Sequence, residues 1–155
     1  MRERTACFTG HRKIPVEQYD AIYERLKATI VSLMKRNYRF FATGGALGFD
    51  TMAAQAILAI KNQYPHIRLI LVLPCHSQAE KWSEYDRAVY ERIKAQADKV
   101  VYTAKEYTKD CMHMRNRHLV DNSSVCICYL IKRRGGTAYT VSYARKQGLE
   151  VINIG

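Results

Sequence analysis

The chain has 155 residues, with 25 Lys and Arg against 14 Asp and Glu, a formal net charge of +11 at pH 7 and a pI of about 9.6. Hydrophobic residues make up 48%, enough to build a core and to argue against intrinsic disorder. No apolar run approaches the ~20 residues of a membrane span, the first residues hold no signal-peptide core, and five Cys without a C-x-x-C pair fit a reducing compartment. These features predict one basic, cytoplasmic domain over residues 1–155, with no membrane partner. They leave open whether the anionic partner is a nucleic acid or a small molecule.

The apolar pattern alternates between strand and helix periods along the chain. Thr5 to Thr9 reads as a strand ending at Gly10. Pro15 opens a helix whose stripe is Tyr19, Ile22, Tyr23, Leu26, Ile30 and Leu33. Tyr38 to Ala42 is a second strand and Leu47 to Gln63 a second helix. Ile67 to Leu73 is the most continuous apolar strand, as expected for one covered on both faces of a parallel sheet. A helix over Ser83 to Ala97, a strand at Val100 to Tyr102 and a helix over Asp110 to Val120 follow. Ser124 to Ile131 is a fifth strand, Gly136 to Gln147 a helix closed by Gly148, and Val151 to Ile154 a last strand. The alternation predicts an α/β, Rossmann-like, doubly wound and mainly parallel sheet of five to six strands, with helices on both faces.

In such a sheet ligands bind beyond the strand C-termini, near the switch point. The unusual residues gather there: Thr9-Gly10-His11-Arg12, then Thr43-Gly44-Gly45-Ala46-Leu47-Gly48-Phe49-Asp50, then Pro74 with Gln78 and Trp82, then Lys132-Arg133-Arg134-Gly135-Gly136-Thr137. The Met112-His113-Met114-Arg115-Asn116-Arg117 segment precedes a strand and must fold back to join them. Glycines between a strand and a helix let the backbone approach a ligand, and the helix N-terminus offers amides and partial positive charge to a phosphate. Tight turns with nothing bound would use the same glycines. The segments lack the Lys-Ser/Thr ending of a P-loop and the G-x-G-x-x-G of a dinucleotide fingerprint, which argues against an ordinary NTPase or NAD dehydrogenase. Arg12 suits a phosphate or a solvated loop. Asp50 suits a helix N-terminus, a ribose hydroxyl or the orientation of its loop. Trp82 and Gln78 are candidates for a base or edge contact, and packing is the competing role for Trp82. Cys126 and Cys128 share one strand face as small apolar thiols, and no His/Cys spacing points to a metal.

Taken together, these segments resemble the SLOG superfamily, and within it the YpsA-like (DUF1273) group, over nearly the whole chain. The resemblance implies a Rossmann-like fold and a site for a nucleotide or an ADP-ribose-like, nucleotide-derived ligand, with no certain cofactor. The phosphate-site residues are then Gly10, His11, Arg12, Gly44, Gly45, Gly48, Asp50, Arg115, Asn116, Gly135, Gly136 and Thr137. Met112-His113-Met114-Arg115 also resembles the Met-His-x-Arg segment of Lonely Guy type phosphoribohydrolases, which makes Arg115 the candidate catalytic residue. That family places a catalytic Glu just after its Gly-rich loop, whereas this chain has Thr137-Ala138-Tyr139-Thr140-Val141 and no carboxylate there. A hydrolase would need one from elsewhere, such as Asp121 or Glu80. A third resemblance, to the Rossmann-like domain of the DNA-processing protein DprA, implies single-stranded nucleic acid. The dispersal of Lys and Arg along the chain favours the small ligand instead. Binding is thus the leading expectation, N-glycosidic cleavage the enzymatic alternative, and a homo-oligomer is expected for the fold class.

Overall fold

The computed structural model describes residues 1–155. Six strands form one sheet, all parallel: β1 (Thr5–Gly10), β2 (Phe40–Thr43), β3 (Arg68–Leu73), β4 (Lys99–Tyr102), β5 (Val125–Tyr129) and β6 (Glu150–Asn153). Five helices connect them: α1 (Tyr19–Lys35), α2 (Phe49–Lys61), α3 (Glu84–Gln96), α4 (Cys111–Asp121) and α5 (Gly136–Lys146). The strand order is β4-β3-β2-β1-β5-β6. The chain therefore winds outward from β1 to β4, returns through α4, and resumes beside β1 with β5. The order reverses between β1 and β5, which pair from Ala6 with Val125 to Gly10 with Tyr129.

The period of two along the strands divides the core into two layers. Ala6 and Phe8 of β1 and Val125, Ile127 and Tyr129 of β5 face one side, with Ile22, Leu26, Ile30 and Leu33 of α1, most of α2, and Tyr90 and Ile93 of α3. Cys7, Cys126 and Cys128 face the other side, against Leu119 and Val120 of α4 and Val141 and Ala144 of α5. These thiols act as small apolar fillers, and burial pushes the Cys128 thiol up to about 11. No helix is long and apolar enough to cross a membrane.

Element boundaries shift for identifiable reasons. The helix expected to open at Pro15 begins as a 3-10 turn over Val16–Gln18, and α1 starts only at Tyr19. Tyr19 is 39% exposed and stands outside the buried stripe. The second helix starts at Phe49 rather than Leu47, because Gly48 has a φ of 80°, outside the helical region. The fifth strand stops at Tyr129. Beyond it, the Leu130 amide donates to Asn153 Oδ1 at 3.1 Å, and the next two amides turn to His11.

Removing the fully buried Leu26 side chain by Leu26→Ala is expected to lower unfolding free energy by about 2–5 kcal/mol in urea denaturation. Lys27→Ala, one residue away and off the stripe, should stay within about 0.5 kcal/mol of the parent.

Candidate functional site

A cleft of about 400 Å³ opens at the C-terminal ends of β1 and β5, where the strand order reverses. The β1 end contributes Thr9, Gly10, His11 and Arg12; Ala46 and Asp50 come from the turn into α2; α4 supplies Met112, Arg115 and Asn116; and Lys132, Arg134, Gly135, Gly136 and Thr137 form the turn into α5. The segment carrying Arg115 therefore does fold back over the strand ends. Of the sequence-derived residues, Gly44, Gly45, Gly48, Gln78 and Trp82 do not line this cleft.

The two helix N-termini differ. Gly135, with φ of 104°, caps α5, and Gly136 and Thr137 begin its first turn on the cleft wall. The opening amides of a helix have no intrahelical acceptor, so this turn presents donors and partial positive charge to the cleft. At α2 the first helical amide and a loop amide before it already have protein acceptors. The Phe49 amide donates to the His11 carbonyl at 3.1 Å, and the Ala46 amide donates to Asp50 Oδ2 at 3.2 Å. Of the roles open to Asp50, orientation of the loop is the one its side-chain bond performs. Burial pushes its carboxyl above the ordinary value, against the opposing pull of Arg115 and the Ala46 amide.

The glycines of the second loop serve close protein contacts. A Cβ on Gly48 would stand 2.1 Å from the Arg12 carbonyl oxygen. One on Gly44 would stand 2.6 Å from Arg115 Nη1, which donates to the Gly44 carbonyl. Arg115 is 4% exposed. Its Nε donates to Asn116 Oδ1 at 2.7 Å, and Nη1 also reaches Gln78 Oε1 at 3.5 Å. Arg115 is thus a buried cation on the cleft wall, held by protein acceptors, whereas Arg12, Lys132 and Arg134 are exposed cations at the mouth. Arg133 is not on the wall. Arg117 instead donates to the Tyr139 hydroxyl at 2.7 Å.

His11 holds the cleft together. Its Nε2 accepts from the Ile131 amide at 3.0 Å and the Lys132 amide at 3.3 Å, and its ring meets Tyr129 edge-on at 5.6 Å. An acceptor nitrogen carries no proton, so the clamp needs the neutral imidazole. Burial, then the Lys132 charge, pull the His11 pKa below its ordinary value. Neither alternative carboxylate is on this wall. Asp121 accepts from the Tyr143 hydroxyl at 2.7 Å, and Glu80 lines a separate cavity. Sequence reasoning did not single out Met112 as a wall residue; its position three residues before Arg115 on one helix face was the available signal.

In an NMR titration the His11 imidazole should protonate at a lower pH than the ordinary ~6.5. Because its folded pKa is depressed, its stability contribution is complete above ~6.5 and falls as pH drops through the folded value. His11→Gln, which keeps an acceptor, should lack that part of the acid loss. Gly48→Ala should cost at least about 1–3 kcal/mol of stability for its backbone conformation alone. Gly136→Ala, where a Cβ meets nothing within 4 Å, should stay within about 0.5 kcal/mol of the parent. Urea denaturation measures both.

Comparison with known proteins places this geometry in a family. The chain is 27% identical over 136 residues to the uncharacterized SPbeta prophage-derived protein YoqJ of Bacillus subtilis, covering 79% of this chain and 80% of that protein. It is 27% identical over 129 residues to a UPF0398 protein of Brevibacillus brevis, covering 81% and 69%. Among solved structures, DNA processing protein A of Streptococcus pneumoniae superposes with a TM-score of 0.68 at 17% identity, over 96% of this chain and 49% of that one. The single-stranded-DNA-binding DNA processing protein A of Helicobacter pylori gives 0.68 at 20%, over 95% and 63%. The chain thus spans less than two thirds of either protein. The protein TM1055 gives 0.58 at 21%, over 96% and 72%. These likenesses establish the shared Rossmann-like fold. The family model named YpsA, described as the YspA SLOG family, matches residues 7–151, and the chain belongs to that family.

Proposed function

We propose that this chain binds a small phosphorylated ligand of the nucleotide class in the cleft between β1 and β5, with a phosphate at the α5 N-terminus. One observation carries this reading: the first turn of α5 faces the same space as Arg12, Lys132 and Arg134. Backbone donors and a helix dipole orient the anion, and the guanidinium groups add charge-assisted hydrogen bonds. The ligand would touch residues from both sides of the switch point, which suits a protein that reports on a metabolite by binding it.

The reading favours binding over N-glycosidic cleavage. The first turn of α5 carries no acidic residue, and Asp50, the one carboxylate on the wall, accepts a hydrogen bond from its own loop. A second reading, single-stranded nucleic acid, is favoured by the fold shared with the DNA processing protein A of Helicobacter pylori, whose structure concerns its single-stranded DNA binding. The two readings separate by salt dependence, which is steep for a polyanion that releases many counterions.

Calorimetric titration with mononucleotides, NAD and ADP-ribose is expected to show binding, and the double variant Arg12→Ala/Arg134→Ala to weaken it by about tenfold or more. No binding at millimolar ligand by a folded chain would refute the proposal. Cleft-independent binding of a single-stranded oligonucleotide that falls steeply with salt would favour the second reading. Free base released from a nucleoside monophosphate would mark the chain as a hydrolase.

A further inference from the structure

A second cavity, of about 440 Å³, lies beside the cleft. Its walls include Gln78, Glu80, Trp82, Tyr107 and Met112. Met112 lines both spaces. Arg115, on the cleft wall, contacts Met112 Sδ through Nη2 at 3.6 Å and Gln78 Oε1 through Nη1 at 3.5 Å. The thioether of Met112 and one edge of the Arg115 guanidinium therefore stand between an anion-binding cleft and a space lined by aromatic rings.

The two spaces have different chemistry. The cleft has cations and backbone donors, while the second cavity has an indole, a phenol and a thioether, the groups that hold a flat, polarizable ring. Trp82 is fixed edge-on against Tyr90, with centroids 5.2 Å apart and an interplanar angle of 82°. Tyr107 is 67% exposed. Gln78 Nε2 donates to the Tyr90 hydroxyl at 3.4 Å while its Oε1 faces Arg115. Its amide is thus oriented from both ends, yet it keeps one N–H and one lone pair for the edge of a base. Glu80 and Lys81 also line this space, one charge of each sign, so it has no net positive charge of the kind that the cleft offers a phosphate.

We propose that the second cavity receives the base of a ligand whose phosphate occupies the cleft, so that the preferred ligand is a 5′-nucleotide rather than a sugar phosphate or inorganic phosphate. The inference rests on the phosphate-site reading and adds Trp82, Tyr107, Met112 and Gln78 as the residues that select for a base. It resolves the two roles open to Trp82: packing on Tyr90 holds the ring in place for base contact.

Trp82 is the only tryptophan in the chain, so its fluorescence reports on this cavity. The full chain is titrated with AMP, GMP and UMP, and separately with ribose 5-phosphate, by calorimetry and Trp emission together. At least one mononucleotide should bind about tenfold or more tightly than ribose 5-phosphate and should alter Trp82 emission, while ribose 5-phosphate binds without altering it. Tyr107→Ala, at an exposed position, should shrink that affinity ratio toward one. If mononucleotides and ribose 5-phosphate bind equally, or saturating nucleotide leaves the emission unmoved, the base does not enter this cavity and the phosphate site stands alone. If none of these ligands binds, the phosphate-site reading fails and this inference falls with it.

Discussion

The neutral imidazole and carbonyl of His11 are the contacts on which the cleft depends. Through its carbonyl, His11 accepts the Phe49 amide and seats the start of α2. Through Nε2 it accepts two amides from the turn after β5. A single residue at the end of β1 thus joins three loops on both sides of the switch point. Its ring also covers Tyr129, the last residue of β5, which stacks on Phe49 with centroids 6.0 Å apart. The cations of the β5 turn owe their position to this arrangement, since Lys132 and Arg134 lie on a segment that has left the sheet.

Much of this was legible in the sequence. Strand-to-helix alternation gave the parallel sheet, and the rule that ligands bind beyond strand C-termini gathered Arg12, Asp50, Gly136 and Thr137 at one edge. Arg115 was identified by its resemblance to a family motif, and its fold-back by necessity. What composition could not distinguish was why a glycine is present. Gly44 and Gly48 suggest a backbone that approaches a phosphate, but their neighbours are Arg115 and the Arg12 carbonyl. Close approach to a ligand and close approach to another loop impose the same absence of a Cβ. Strand order was hidden for a related reason. A βα unit has the same local pattern whether it continues one side of the sheet or begins the other, so the switch at β5 is a tertiary fact.

Part of the positive charge that marks the composition serves the fold itself. Several arginines tie down carbonyls where strands and helices end: Arg4 Nε donates to Asn37 O at 3.0 Å, Arg25 Nη1 to Ile154 O at 2.7 Å, and Arg39 Nε to His66 O at 3.0 Å. Others join acids, as Arg36 does with Glu150 at 2.7 Å and Lys61 with Asp98 at 2.5 Å. Such groups satisfy backbone acceptors that would otherwise depend on water. Of the 25 Lys and Arg, only Arg12, Arg115, Lys132 and Arg134 line the cleft, which is why net charge alone is a poor guide to the kind of anion bound.

The pairing of β1 with β5 has a kinetic consequence. The His11 clamp joins positions 120 residues apart in the chain, and long-range closure costs chain entropy before its contacts repay it. The β1–β4 segment can assemble from neighbouring βα units, whereas the cleft exists only once the C-terminal segment has docked on the opposite side of β1. The cleft is therefore completed only after β5 and the first turn of α5 have taken their places beside β1. A ligand that spans the switch point would hold β1 and β5 together and have no hold on a chain in which they are apart.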